Sequence, residues 1–298
     1  MTLGKLAGVF FIAMISLSSV GAAKSIEVVA TIKPVHSLLA ALMQGVAKPT
    51  LLIADTAPFD YKPSAQDIEL VKKADLVVWM GPELEQSLNS VLVKPTPDMN
   101  VFEMLSDSEF KVLSLRNDDN TRDPFMWLDV RNGEVFVDAL FDKLVEIAPA
   151  HEKLFIENRD ALKKKVSHLD RMFEFGFRGV PAGLSWLYHD TQQYFEQSYA
   201  FKVRNILSLK PGEVADTMNL LNARNDMSAI GAFCFFTEEG MTTDRLPVAV
   251  EGLNATVVAL DSLGLTYKAG PDLYVQVMQH NYDAIRGCFK DIGAKYTE

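Results

Sequence analysis

The sequence predicts an α/β protein of two lobes, each a parallel sheet flanked by helices, joined by one long rigid interdomain helix. Three observations predict it. Short β-branched runs alternate with amphipathic segments up to residue 149, the same alternation resumes after residue 177, and one uninterrupted amphipathic stretch lies between. Such alternation reads as βα units around a parallel sheet. A chain of 298 residues also exceeds the ~150 residues that one domain ordinarily uses.

Residues 1–23 read as a secretory signal. Lys5 precedes an apolar run from Leu6 to Val20, followed by Gly21, Ala22 and Ala23, so cleavage is expected after Ala22 or Ala23. The run is shorter than the ~20 residues that a spanning helix needs. Residues 24–149 form the expected N-terminal lobe: strand IEVVATI (26–32), a helix over 36–44, strand TLLI (50–53) and a helix opening at Ser64. Asp67, three residues after Ser64, completes a capping-box pattern. Strand DLVVWM (75–80) stops at Gly81-Pro82, Val101-Phe102 is a short strand, and a helix runs from about Glu134 to Ile147 before Pro149.

Residues 150–177 are the expected linking helix. Leu154, Leu162, Val166, Leu169 and Phe173 recur at helical spacing, with Lys163, Lys164 and Lys165 on the other side, the pattern of one amphipathic helix. Residues 178–298 repeat the α/β alternation as a C-terminal lobe. Its elements are LSWLYH (184–189), a helix over 191–198, a strand near 203–208, a helix from Glu213, AIGAFCFF (229–236), a short helix after Asp244, TVVAL (256–260) and a last helix from Pro271.

The formal charge is −10, and −11 once Lys5 leaves with residues 1–23. An acidic surface argues against nucleic acid and anionic lipid as partners, since nothing offsets phosphate repulsion. No stretch after the signal is long and apolar enough for membrane insertion, and a monomer is expected. Cys234 and Cys288 are the two cysteines. In an oxidising compartment they pair as a disulfide or remain two separately buried thiols, and spacing alone does not decide.

Ligands of open parallel sheets sit beyond the carboxyl ends of the strands. Those ends carry Phe59-Asp60-Tyr61, Pro124-Phe125-Met126-Trp127, His189-Asp190, Glu238-Glu239 and Asp261. A lone histidine at a strand end is more often hydrogen-bonded structure than a ligand, and Asp261 before Ser262 and Gly264 also suits a turn or cap. No enzyme is indicated. The chain lacks a phosphate-cradling glycine loop, Gly183-Leu184-Ser185-Trp186-Leu187 lacks the second glycine of a nucleophile elbow, and there is no Cys-x-x-Cys or His-Glu-x-x-His.

The order VVATIKPVHSLLAALMQGV (28–46), DYKPSAQD (60–67), ADLVVWMGPELE (74–85), MWL (126–128), YHDTQQYFEQ (188–197) and ALDSLG (259–264) resembles the zinc-type periplasmic solute-binding proteins of metal ABC importers, the ZnuA-like family. The resemblance spans the mature chain. It implies two α/β lobes joined by a rigid helix, a periplasmic location, Zn²⁺ as the transported solute held between the lobes, and ABC permease and ATPase subunits as partners. It also implies a Cys234–Cys288 disulfide. The family's ligand positions fall on Phe59, Phe125, His189 and Asp261, of which His189 and Asp261 are the expected metal ligands while the two phenylalanines cannot coordinate. The family's histidine-rich loop falls at 113–124, which here reads VLSLRNDDNTRD.

Zinc takes about four N, S or O donors, and a phenyl ring offers none. His36, Asp60, Asp190 and Glu238 are the candidate cleft neighbours able to substitute, whereas Met126 is read as packing. Oxygen-rich replacement would shift preference toward harder cations. Two alternatives stay open: a site that takes a metal chelate or small organic solute against the phenyl walls, and a partner or regulator of the permease that binds no solute.

Overall fold

The structure, a computed structural model, describes residues 26–294. The expected signal segment, residues 1–23, lies outside the described residues. The first sheet is parallel, in the order β2 (Thr50–Leu51), β1 (Val28–Ala30), β3 (Leu76–Trp79), β4 (Val101–Glu103). Helix α1 (Lys33–Leu42) follows β1 with Pro34 in its first turn, and α2 (Ala65–Lys73) starts at the Ser64 cap. The capping box is complete: the Asp67 amide donates to Ser64 Oγ at 3.2 Å, and the Ser64 amide donates to Asp67 Oδ2 at 2.8 Å. Alternation along β1 sends Val28 and Ala30 into the main core and Val29 to an outer cluster with Val77, Trp79 and Leu88, as period-2 side-chain direction requires.

A short helix, α3 (Asn89–Leu92), leads toward β4, and a two-stranded antiparallel hairpin then crosses the molecule: β5 (Ser114–Leu115) and β6 (Asp118–Arg122). The family resemblance implies a loop at 113–124, and the structure has this hairpin there. Helix α4 (Val130–Ile147) begins earlier than expected, because the Asp129 carboxylate caps the Arg131 amide at 3.0 Å. After a 3-10 turn at Pro149–His151, helix α5 (Glu152–Gly176) runs 25 residues, burying Phe155, Leu162, Val166, Leu169 and Phe173. It packs along α4, α1 and the last helix, so the linking helix is embedded in the core.

The second sheet is also parallel, in the order β10 (Ala255–Leu260), β9 (Phe233–Glu238), β7 (Ser185–His189), β8 (Asn205–Ser208). Helices α6 (Gln193–Ser198), α7 (Thr217–Ser228), α8 (Leu246–Val250) and α9 (Leu273–Asp291) flank it. Trp186, Tyr188, Phe233 and Phe235 pack on its outer face, while Leu187, Cys234 and Phe236 face the main core. Cys234 of β9 is disulfide-bonded to Cys288 of α9, stapling sheet to helix. Among the described residues no helix is long and apolar enough to cross a membrane.

The halves are firmly joined. Lys33 Nζ donates to the carbonyls of Leu265 (3.3 Å) and Tyr267 (3.0 Å), and Trp127 Nε1 donates to the Ser262 carbonyl at 2.8 Å. The Tyr274 amide donates to Ser37 Oγ at 2.9 Å, and Tyr274 Oη donates to the Trp127 carbonyl at 2.9 Å.

Candidate functional site

A cavity of about 620 Å³ opens where the strand ends of the two sheets meet. Lobe one supplies Phe59 and residues 82–84, the hairpin supplies Leu115, Asn117 and residues 120–122, and lobe two supplies Lys210, Pro211 and Glu213. Phe59 sits in the 3-10 turn Pro58–Asp60. Its ring lies on Gly212 (φ +78°), where an added Cβ would fall 2.8 Å from Phe59 Cδ2. Pro211-Gly212 forms the turn because only glycine combines that backbone geometry with so close an approach. Phe125 forms the floor. Its ring is fully buried, with its centroid 5.1 Å from that of Trp127, and its amide donates to Asp123 Oδ1 at 2.9 Å.

His189 ends β7 and is buried. Its Nε2 lies 3.1 Å from the carbonyl of Glu213, and its Nδ1 finds no partner among the described residues. Burial lowers its pKa to about 4, the carbonyl contact opposing this only in part. The ring is therefore neutral at physiological pH, the form a metal ligand needs. Asp261 is buried at the end of β10 and accepts from the amides of Leu265 (2.8 Å) and Thr266 (2.9 Å) and from Thr266 Oγ1 (2.6 Å). Its carboxylate thus organises the following turn. Phe59 and Phe125 share the cavity wall; His189 reaches it only through Glu213, and Asp261 does not line it.

The candidate cleft neighbours scatter. His36 lies with Nε2 3.1 Å from the Pro49 carbonyl, and burial lowers its pKa. Asp60 is exposed. Glu238 is buried and accepts from Thr191 Oγ1, Gln192 Nε2 (2.8 Å) and the Ser262 amide (3.1 Å), a network that ties together the ends of β7, β9 and β10. Asp190 is claimed by Arg116, whose Nε lies 3.0 and 2.9 Å from its two oxygens. Arg116 also pairs with Glu196. Among the described residues no group of three or more His, Cys, Asp or Glu side chains is arranged to hold a metal ion.

The hairpin is what sequence reasoning missed. Arg116 at its turn reaches lobe two, and Arg122 at its end meets lobe one, bonding Glu83 (2.5 and 2.7 Å), Glu103 (3.0 Å) and Ser106 (3.0 Å). Asp123, just beyond, is fully buried; burial pushes its carboxyl up to about 8, against the Phe125 amide, which favours the charged form. The signal available was two arginines bracketing the turn formers Asn117 to Asn120 in VLSLRNDDNTRD.

The family model described as zinc-uptake complex component A, periplasmic (ZnuA), matches residues 28–288. The high-affinity zinc uptake system protein ZnuA of Brucella abortus is 24% identical over an alignment of 305 residues, covering 88% of this chain and 91% of that protein. The manganese-binding lipoprotein MntA of Halalkalibacterium halodurans is 26% identical over 234 residues, covering 76% of this chain and 75% of the relative. Among solved structures, the periplasmic zinc-binding protein TroA of Treponema pallidum superposes with a TM-score of 0.79 at 22% identity, covering 89% of this chain and 99% of TroA. The solute-binding protein FpvC of Pseudomonas aeruginosa in complex with Mn²⁺ superposes with a TM-score of 0.77 at 18% identity, covering 90% and 99%. These likenesses establish the fold.

Proposed function

Since the chain belongs to the ZnuA family of periplasmic zinc-uptake components, we propose that it is the periplasmic solute-binding component of a metal ABC importer with a degenerate metal site. It collects its cargo in the cavity between the lobes and presents it to the permease, whose ATPase subunits drive transport; it catalyses no reaction itself. Residues 1–23 direct export and are removed, leaving an N-terminal lobe to residue 149, the linking helix at 150–177 and a C-terminal lobe from 178.

The observation that supports this reading is that Phe59 and Phe125, on which the resemblance places two of the family's four ligand positions, wall one cavity built from both lobes. The remaining donors, His189 and Asp261, are each engaged by backbone groups of their own lobe. One imidazole and one carboxylate fall short of the four-donor array that zinc requires, so the cleft handles metal differently from a four-ligand member.

The test is reconstitution of the mature protein with a zinc-type permease and ATPase in liposomes, together with elemental analysis of protein purified from its own periplasm. Stimulated ATP hydrolysis and co-purifying metal are expected. Absence of both stimulated hydrolysis and co-purifying metal would contradict the importer reading.

A further inference from the structure

We propose that the interlobe cavity takes its metal as an organic chelate of neutral or positive charge, a compact molecule that brings the metal's donors with it. This rests on the importer reading above and names the chemical class of its cargo. Size is the first argument. A cavity of about 620 Å³ falls in the ~300–1,000 Å³ range of small-molecule sites, whereas a bare ion seated among side chains needs no such space. Lining is the second: Phe59, Leu84, Leu115, Pro124 and Pro211 give apolar wall, and the Phe125 floor is fixed by Trp127, itself held by the Ser262 carbonyl. Gln86, Asn117 and Asn120 add amide groups, the few placed polar groups that orient a small molecule.

Charge narrows the class. Both cations on the wall are already paired, Arg122 with Glu83 and Glu103, and Lys210 with Glu213 at 3.5 Å. Asp118, also on the wall, is held by Thr121 Oγ1 at 2.5 Å. The wall thus carries Glu83, Asp118 and Glu213 against Arg122 and Lys210, which leaves no spare cation for an anionic ligand and disfavours one. A chelate also resolves the missing donors. A metal whose coordination is completed by its carrier asks the protein for shape and hydrogen bonds, which this cavity offers, and not for the imidazoles at 59 and 125 that the chain lacks.

The experiment is calorimetry on the mature protein with four probes: aqueous Zn²⁺, the neutral zinc bis-histidine complex, the cationic zinc–phenanthroline complex and anionic zinc citrate. At least one of the two non-anionic chelates should bind one-to-one, at least tenfold tighter than aqueous Zn²⁺ and than zinc citrate. Leu115→Trp and, separately, Asn120→Trp fill the cavity from the hairpin and should each weaken that binding tenfold or more while melting near the wild-type temperature; two independent fillers guard against one failing to fold. The proposal falls if aqueous Zn²⁺ or zinc citrate binds as tightly, if neither non-anionic chelate binds, or if the folded fillers bind like wild type. Tight binding of aqueous Zn²⁺ would leave the importer reading intact while removing this one; absence of permease stimulation would remove the importer reading itself.

Discussion

The ring of Phe59 in one lobe rests against the α-carbon of Gly212 in the other, so closely that a methyl group on Gly212 would fall 2.8 Å from Cδ2. Phe59 thus serves as an interlobe packing contact. Gly212→Ala should destabilise the protein through two separable costs. The left-handed backbone disfavours any Cβ by about 1–2 kcal/mol, and the displaced ring adds to it. In a Phe59→Ala background the second cost disappears, so denaturant titration should show Gly212→Ala to be milder there by about 1 kcal/mol. Equal costs in both backgrounds would mean that the contact carries no energy.

Arg116 ties the hairpin to lobe two through Asp190 and Glu196. Removing it strands Asp190 and Glu196, both nearly buried. Arg116→Ala should therefore cost about 2–3 kcal/mol, below the full cost of breaking a buried pair because a third of the arginine side chain meets solvent. Lys165→Ala, which breaks a pair with both partners more than half exposed, should change stability by less than about 1 kcal/mol. Chemical denaturation of the two variants side by side measures the difference.

Glu85 is completely buried at the end of β3, accepting from Thr31 Oγ1 (2.5 Å) and the amides of Met80 and Gly81 (3.1 Å each). Burial pushes its carboxyl up from the ordinary 4.5 to about 7. The raised value means that its contribution is fully present below pH 4.5 and is lost as pH rises through about 7. Glu85→Gln should cost about 1–3 kcal/mol at low pH, since its amide cannot accept all three bonds. The gap from wild type should narrow between pH 4.5 and about 7; a widening gap in thermal melts would show the ionised form to be the stabilising one.

The Cys234–Cys288 disulfide closes a loop of 54 residues. Reduction should lower stability by about 4 kcal/mol, and thiol labelling in non-reducing denaturant should find no free cysteine. Two labelled thiols would contradict the assignment.

Much of this architecture is legible in the chain because local chemistry and tertiary structure agree. Ser64 and Asp67 mark a helix start that the capping box realises, and β3 ends where Gly81 (φ +150°) and Pro82 stop the strand. Helix α7 starts at Thr217 and not at Glu213, because the Pro211-Gly212 turn serves Phe59 and Asp216 supplies the cap, bonding the amides of Met218 and Asn219. The hairpin was illegible: Asp118 to Arg122 is a polar strand without alternation, held by long-range ion pairs that spacing does not encode. The site is harder still. Which carboxylate is already spent, as Asp190 is on Arg116 and Glu238 on Thr191 and Gln192, depends on partners tens of residues away.

The central claim is that the cleft no longer holds a bare metal ion as a four-donor site does, and competition of the protein against a zinc chelator tests it most directly. Four-ligand zinc sites supply about 10–16 kcal/mol; with half the donors gone, wild type should bind aqueous Zn²⁺ with a Kd of about 1 µM or weaker. Phe59→His/Phe125→His should tighten binding by orders of magnitude once His189 exchanges the Glu213 carbonyl for metal. Adding His189→Ala should abolish the gain, and so should acidification through about pH 6.5, where the introduced imidazoles protonate. Wild-type protein that already binds Zn²⁺ tightly, with affinity unchanged by His189→Ala, would contradict the account.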